Sequence, residues 1–196
     1  MHNSSYEHMR RLVAKYLARG TALRVLDIGS YDVNGSYRTL FNDPVWQYQG
    51  IDLEAGPGVD IVLESAYRLP FPSGSVDLVV SGQAFEHIEF FWMTWLEIMR
   101  VLKPGGTVFL IAPSRGPEHR YPQDCWRFYP DGFRALAKFG NCELIEVSTD
   151  WEPHPDPGSA EWGDTVGVFL TRNVSIRQRF ASFLIYLAMR IKSRPA

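Results

Sequence analysis

The chain of 196 residues holds two cysteines, Cys125 and Cys142. Two thiols make no disulfide framework, and with scattered histidines they make no zinc pattern, so a reducing cytosol is the expected setting. Long apolar runs are also missing. The longest, Phe180 to Met189, is ten residues and is interrupted by Ser182, well short of the ~20 needed to span a bilayer. Met1 to Arg10 lacks the apolar core of a secretory signal. Nor is there charge of one sign: 20 Lys+Arg stand against 22 Asp+Glu, a formal net charge of −2. Phosphate backbones call for a clear cationic excess, so nucleic acid is not an expected partner. Acidic residues stop at Asp164. Beyond it Arg172, Arg177, Arg179, Arg190, Lys192 and Arg194 give +6, which leaves residues 1–164 at −8. What is present is apolar residue (45%) and aromatic residue (14%), enough to core one domain of this length.

Ser4 followed by Glu7 is a candidate capping box for a helix on which Tyr6, Met9, Val13, Tyr16 and Leu17 repeat at helical spacing. Short apolar runs predict strands at 23–28, 48–53, 60–63, 76–81 and 107–112, with a helix over 90–102 stopped by Lys103-Pro104-Gly105-Gly106. A helix from Pro130 to about Phe139 follows, then late strands at 143–148 and 165–171. Trp151 to Asp164 joins that last pair as a loop with Pro153, Pro155 and Pro157, longer than a plain connection needs. The alternation predicts a doubly wound α/β domain with a mostly parallel, Rossmann-like sheet of seven strands, helices on both faces and a final antiparallel strand.

Ligands of such sheets bind beyond the carboxyl ends of the strands. The first strand ends Asp27-Ile28-Gly29-Ser30, where Gly29 permits a sharp turn and Asp27 offers a hydrogen-bond acceptor; Tyr31, Asp32, Val33, Asn34 and Gly35 follow. The second ends at Asp52, an acidic residue suited to two ribose hydroxyls.

In order along the chain come Leu69-Pro70-Phe71, Val76-Asp77-Leu78, Phe85-Glu86-His87-Ile88 and Leu102-Lys103-Pro104-Gly105-Gly106. Together with the Asp27–Gly29 segment, this series resembles the class I S-adenosylmethionine-dependent methyltransferases of the broad small-molecule, type-11-like group, over about residues 20–115. The resemblance implies S-adenosylmethionine as cofactor, held by Asp27 and Gly29, with Asp52 on the ribose, Leu53 beside the adenine, and Ser65 and Ala66 at its edge. Ser81 and Gln83 would face the sulfonium. The first loop departs from the family pattern, since Tyr31 and Val33 stand where glycines are usual; Ser30, Asp32 or Asn34 would then hold the methionine end.

Transfer to a hydroxyl needs an aligned oxygen and a base. His87 is the first candidate, with Glu86 beside it, against a purely capping role for the pair. The second is the stretch 115–128, carrying Arg115, His119, Tyr121, Asp124, Trp126 and Arg127, which resembles a segment of glycan- and polysaccharide-associated O-methyltransferases. A structural lid is its alternative. Some sugar methyltransferases use Mg²⁺; Glu86, His119 and Asp124 are the candidate ligands, although the metal-free reading is preferred because hard cations favour carboxylates.

The expected enzyme is thus a sugar or oligosaccharide O-methyltransferase. The alternatives are a methyltransferase for a lipid, quinone or secondary metabolite, and a non-catalytic scaffold. Its domain would span 1–172, with acceptor loops at about 113–130 and 149–164. The remainder, 173–196, reads as a basic amphipathic helix packing on the domain or a second copy, in preference to peripheral membrane contact.

Overall fold

A computed structural model describes residues 2–172 and, beyond them, residues 184, 185, 187 and 188, which are helical. The basic C-terminal helix expected over 173–196 otherwise lies outside the described residues.

Helix α1 (Asn3–Tyr16) leads into β1 (Leu23–Ile28), a 3-10 turn at Tyr37–Leu40, β2 (Trp46–Asp52), β3 (Ile61–Val62) and β4 (Val76–Gly82). A second 3-10 turn at Phe85–His87 precedes α2 (Phe91–Val101), β5 (Leu102–Arg115), α3 (Pro130–Gly140), β6 (Cys142–Thr149) and β7 (Gly163–Thr171). All seven strands form one sheet in the order β3-β2-β1-β4-β5-β7-β6. Neighbours pair in parallel from β3 across to β5, and β7 is antiparallel to both β5 and β6. The order reverses between β1 and β4, which makes that gap the topological switch point.

Two apolar layers sandwich the sheet. Phe85, Trp95, Phe133 and Phe169 pack beneath α2 and α3, whereas Met9, Leu12, Tyr37, Phe41 and Phe109 pack beneath α1 and the first 3-10 turn. The central strands are buried on both faces and so read as unbroken apolar runs, while edge strand β6 alternates half-buried and exposed. Pro130 opens α3, where its missing N–H costs nothing, and Asn141 closes it with φ 52°.

The start of α1 differs from the expected capping box. His2 is the N-cap and caps nothing with its side chain; Ser4 lies inside the helix and is buried. Its hydroxyl donates to Asp164 on β7 at 3.1 Å, and Ser5 shares a 2.6 Å hydrogen bond with Tyr37. Two serines that read as local caps are instead committed to tertiary partners. Lys103–Gly106 ends α2 as expected, but inside β5, as an irregularity in its pairing with β4.

Candidate active site

At the carboxyl end of β1, Asp27 is buried and accepts a short hydrogen bond from the Tyr48 hydroxyl on β2. Burial pushes its carboxyl up to about 7 against the pull of Tyr48 and the Arg38 charge. Arg38 lies 4.6 Å over the Tyr48 ring and pairs with Asp60 at 2.6 Å. Gly29 turns with φ 81°, and a side chain there would bring a Cβ to 2.4 Å from that of Ala84. Asp52 receives the backbone N–H groups of Tyr31, Leu53 and Glu54. Its carboxylate is thereby fixed at the end of β2, with Leu53 exposed beside it.

The first loop, poor in glycine, is supported from the next one. Asp32 N–H donates to Pro57 at 2.8 Å, the Tyr31 ring occupies the space where Gly56 lacks a side chain, and Gly58 (φ 84°) lets its backbone approach the Ser30 carbonyl. Gly56 and Gly58 thus let the second loop pack closely against the first. Asp32 accepts from Gly35 N–H and so closes its own turn, while Asn34 is exposed. The Ser30 hydroxyl is buried without a hydrogen-bond partner, an atom available to a ligand.

The remaining cofactor-side residues are tied into the fold. Ser81 donates to the Ile28 carbonyl across the switch point. Gln83, at φ 58°, gives its amide to Ser5 and Asp164 and receives His2 at 3.1 Å. Ser65 accepts from Tyr67 N–H, and the Ala66 carbonyl accepts from Thr94.

Beyond β4 the two segments that carry the acceptor-side candidates lie against each other. Loop 119–128 is fastened to the 85–87 turn: Cys125 and Trp126 N–H both donate to the Glu86 carbonyl, and the Gln123 amide donates to the His87 carbonyl. The His87 and His119 rings consequently meet edge to face, with centroids 4.8 Å apart, and Tyr121 lies 6.0 Å from each. His87 Nδ1 faces the Gln123 carbonyl at 2.5 Å and must be the protonated nitrogen, so Nε2 carries the lone pair. That nitrogen is 3.6 Å from Glu86 Oε1.

Glu86 is fully buried, and neither of its carboxylate oxygens has a hydrogen-bond partner. Burial pushes its carboxyl up to about 8, so it holds a proton at neutral pH. Burial also lowers both histidines, leaving them neutral. The His119 ring is flanked by Trp162 at 4.7 Å, and Trp162 is stacked on His2 at 4.4 Å. The start of α1 and the 149–164 loop therefore wall the site.

Asp124 stands apart from the expected metal group. Arg127 grips it through both guanidinium arms, at 2.6 and 2.8 Å, and holds its carboxyl far below the usual range, while His119 N–H caps it. Arg127 also bonds the Pro117 and Trp126 carbonyls, and the Trp126 indole N–H is shared between the Ile88 and Glu89 carbonyls. Both polar groups brace the loop. Arg115 donates to the Trp151 carbonyl, but its Nε and Nη2 are buried without partners. His2, Tyr48 and Asp164 were absent from the sequence-based candidates; nothing local marks them, since each acts on a residue more than twenty positions away.

The strand order and the antiparallel β7 define a Rossmann-like methyltransferase fold. A putative methyltransferase from Bacillus halodurans superposes with a TM-score of 0.65 at 14% identity, covering 87% of this chain and 100% of that one. The 1,6-didemethyltoxoflavin-N1-methyltransferase of Burkholderia thailandensis gives 0.68 at 15% identity, over 87% and 79%. Residues 12–110 match the family model described as "Methyltransferase domain", and the chain belongs to that family. An uncharacterized methyltransferase of Mycobacterium leprae is 33% identical over 180 residues, 82% of this chain and 64% of that protein. One of Mycobacterium tuberculosis is 34% identical over 131 residues, 59% of this chain and 49% of that protein. The chain thus spans about half to two thirds of the length of these relatives.

Proposed function

We propose that the chain is an S-adenosylmethionine-dependent O-methyltransferase whose acceptor is a hydroxyl of a sugar or short saccharide. Bound cofactor would supply an electrophilic methyl group, and the residues at the switch point fit it. Gly29 makes the sharp turn at φ 81°, the Asp52 carboxylate is fixed at the end of β2 by backbone N–H groups, and Asp27 and the unpartnered Ser30 hydroxyl offer polar contacts. The observation that carries the acceptor assignment is the joining of His87, His119 and Glu86 into one cluster beside Tyr121, which is 58% exposed. His87 is held neutral and its free Nε2 can take the hydroxyl proton. Aromatic faces suit the apolar side of a pyranose ring, and the acceptor loops present Tyr121 and the stacked pair Tyr129 and Trp151. For Mg²⁺ the fit is poor. Asp124 is consumed by Arg127, and the donors that converge are mainly imidazoles.

The test is transfer of labelled methyl from S-adenosylmethionine to parallel panels of saccharides and of lipid, quinone and small aromatic acceptors. Label on a saccharide is the expected result. Label confined to the second panel overturns the sugar assignment and leaves methyl transfer standing. His87→Ala should lower kcat about 100-fold or more while the Kd for S-adenosylhomocysteine stays within about twofold; unchanged turnover removes His87 from the chemistry.

A further inference from the structure

Glu86 presents a physical problem that methyl transfer alone does not solve. A fully buried carboxyl group with both oxygens unpartnered costs about 1–3 kcal/mol or more, and such groups persist where a ligand or ion completes them. His87 Nε2 lies 3.6 Å from Glu86 Oε1 and carries the ring's lone pair, because Nδ1 is turned to Gln123. His119 Nδ1 is also buried without a hydrogen bond, 3.5 Å from Asp124. Three potential metal-donor groups therefore converge, two of them with buried atoms that no hydrogen bond satisfies. One ligand-type atom from each of Glu86, His87 and His119 lies within 4.8 Å of the others.

From this geometry we infer that Glu86, His87 and His119 form a binding site for a first-row divalent transition metal of the zinc type. Two imidazole nitrogens and one carboxylate oxygen are the donor set of an open three-ligand zinc site, and borderline-soft nitrogen selects against Mg²⁺ and Ca²⁺. Donors bound to one ion at ~2.1 Å are at most ~4.2 Å apart, so the cluster draws in by about an ångström on binding. The supporting contacts of a metal site are already in place: the Gln123 carbonyl orients His87, and the Asp124 carboxylate faces His119. Three protein ligands leave a position for an oxygen from outside. On the methyl-transfer reading above, that oxygen is the acceptor hydroxyl, and a bound ion would acidify it in place of the His87 base, whose Nε2 is then a ligand.

A second group, His8, Asp150 and Asp164, brings ligand-type atoms equally close, with His8 and Asp150 lining a cavity of about 520 Å³. Its atoms are already satisfied. His8 bonds Asp150 at 2.8 Å, and Asp164 receives Ser4 and Gln83. It serves as the internal control.

The full chain, stripped with a chelator and desalted, is titrated with ZnCl₂ by calorimetry and with CoCl₂ by visible absorption. One equivalent should bind with a visible cobalt spectrum. His119→Ala, and separately the isosteric Glu86→Gln, should each weaken affinity by at least about 100-fold, since loss of a supporting contact alone costs ~10–100-fold. His8→Ala should change it less than twofold. Melting curves identify any variant that has unfolded, and having both Glu86→Gln and His119→Ala keeps one readable. Absence of saturable binding overturns the site, as does binding that survives both substitutions or is lost with His8→Ala. The methylation assay runs in parallel. Transfer by protein that binds no metal discards the metal and keeps the enzyme, and metal binding without transfer to any acceptor does the reverse.

Discussion

At the scale of single residues, Asp27 and Gly29 show two ways in which the cofactor end of the sheet departs from comfortable chemistry. Asp27 titrates near 7 because it is buried, against ~3.9 unfolded. Between those values the folded protein binds a proton that the unfolded chain has lost. The stability contribution is therefore present below about pH 4 and falls as pH rises through about 7. Asp164 and Glu86 are raised in the same direction, so the test is a difference measurement. Urea denaturation of Asp27→Asn should show a shallower loss of stability from pH 4 to 7 than the parent, and identical slopes would remove Asp27 from that balance. A cationic ligand beside Asp27 would displace the proton, so S-adenosylmethionine binding at pH 6 should release protons, seen as calorimetric heats that depend on buffer ionisation. Gly29→Ala forces a side chain into a left-handed turn, costing about 1–2 kcal/mol for the backbone alone, and adds a 2.4 Å collision with Ala84. Lower denaturation midpoint and lost cofactor affinity are expected together.

At the scale of elements, α1 is attached to the sheet by more than its apolar stripe. Glu146 on β6 takes Arg11, Lys15 and the Tyr16 hydroxyl at 2.6–2.7 Å, and those partners bring its carboxyl down to about 2 despite the opposing effect of burial. A lowered carboxyl contributes stability above its unfolded value and loses it as pH falls from about 4.5 towards 2. Water screens the half-exposed Arg11 and Lys15, so Glu146→Gln should cost about 1 kcal/mol at pH 7, roughly 2–4 °C in Tm. The gap should narrow below about pH 4.5 and close near pH 2; a gap constant with pH would mean lost packing instead of lost charge.

The elements also show what sequence could and could not convey. Strands β1, β4 and β5 were legible because burial on both faces demands unbroken apolar runs, and α2 because its stop signal is local. The start of α1 was misread because Ser4 looks the same to a local rule whether it caps its own helix or reaches Asp164, 160 residues on. The acceptor side was half legible. His87 and His119 stood out as residue types, but their union depends on Gln123, Cys125 and Trp126 fastening one loop to one turn, mostly by backbone hydrogen bonds that no side chain announces. Trp126 and Arg127 are legible as substrate-binding candidates by residue type, whereas the engagement of their polar groups by main-chain carbonyls and Asp124 is not.

At the scale of the whole molecule, the sheet reverses its order at β1 and β4, where the parallel ladder, shared apolar packing and side-chain hydrogen bonds join the two strands. Ser81 donating to Ile28 is one. A cofactor seated there would touch Asp27 and Asp52 on one side and the 81–87 segment on the other, tying both halves of the sheet. Such a ligand binds the folded chain and not the unfolded one, so it stabilises by RT ln(1 + [L]/Kd), about 2.7 kcal/mol at a hundredfold excess over Kd. For a chain of this size that is a rise in Tm of roughly 5–10 °C. S-adenosylhomocysteine should produce it, and NADH, which suits the same kind of sheet, should not. The altered glycine loop gives this experiment its force. If the close packing that Gly56 and Gly58 allow keeps the first loop open to the cofactor, the shift is present in the parent and falls below 2 °C in Gly58→Ala, whose new side chain would lie 2.5 Å from the Ser30 carbonyl. A parent that does not shift would instead be a methyltransferase fold kept as a scaffold, its first loop closed to the cofactor.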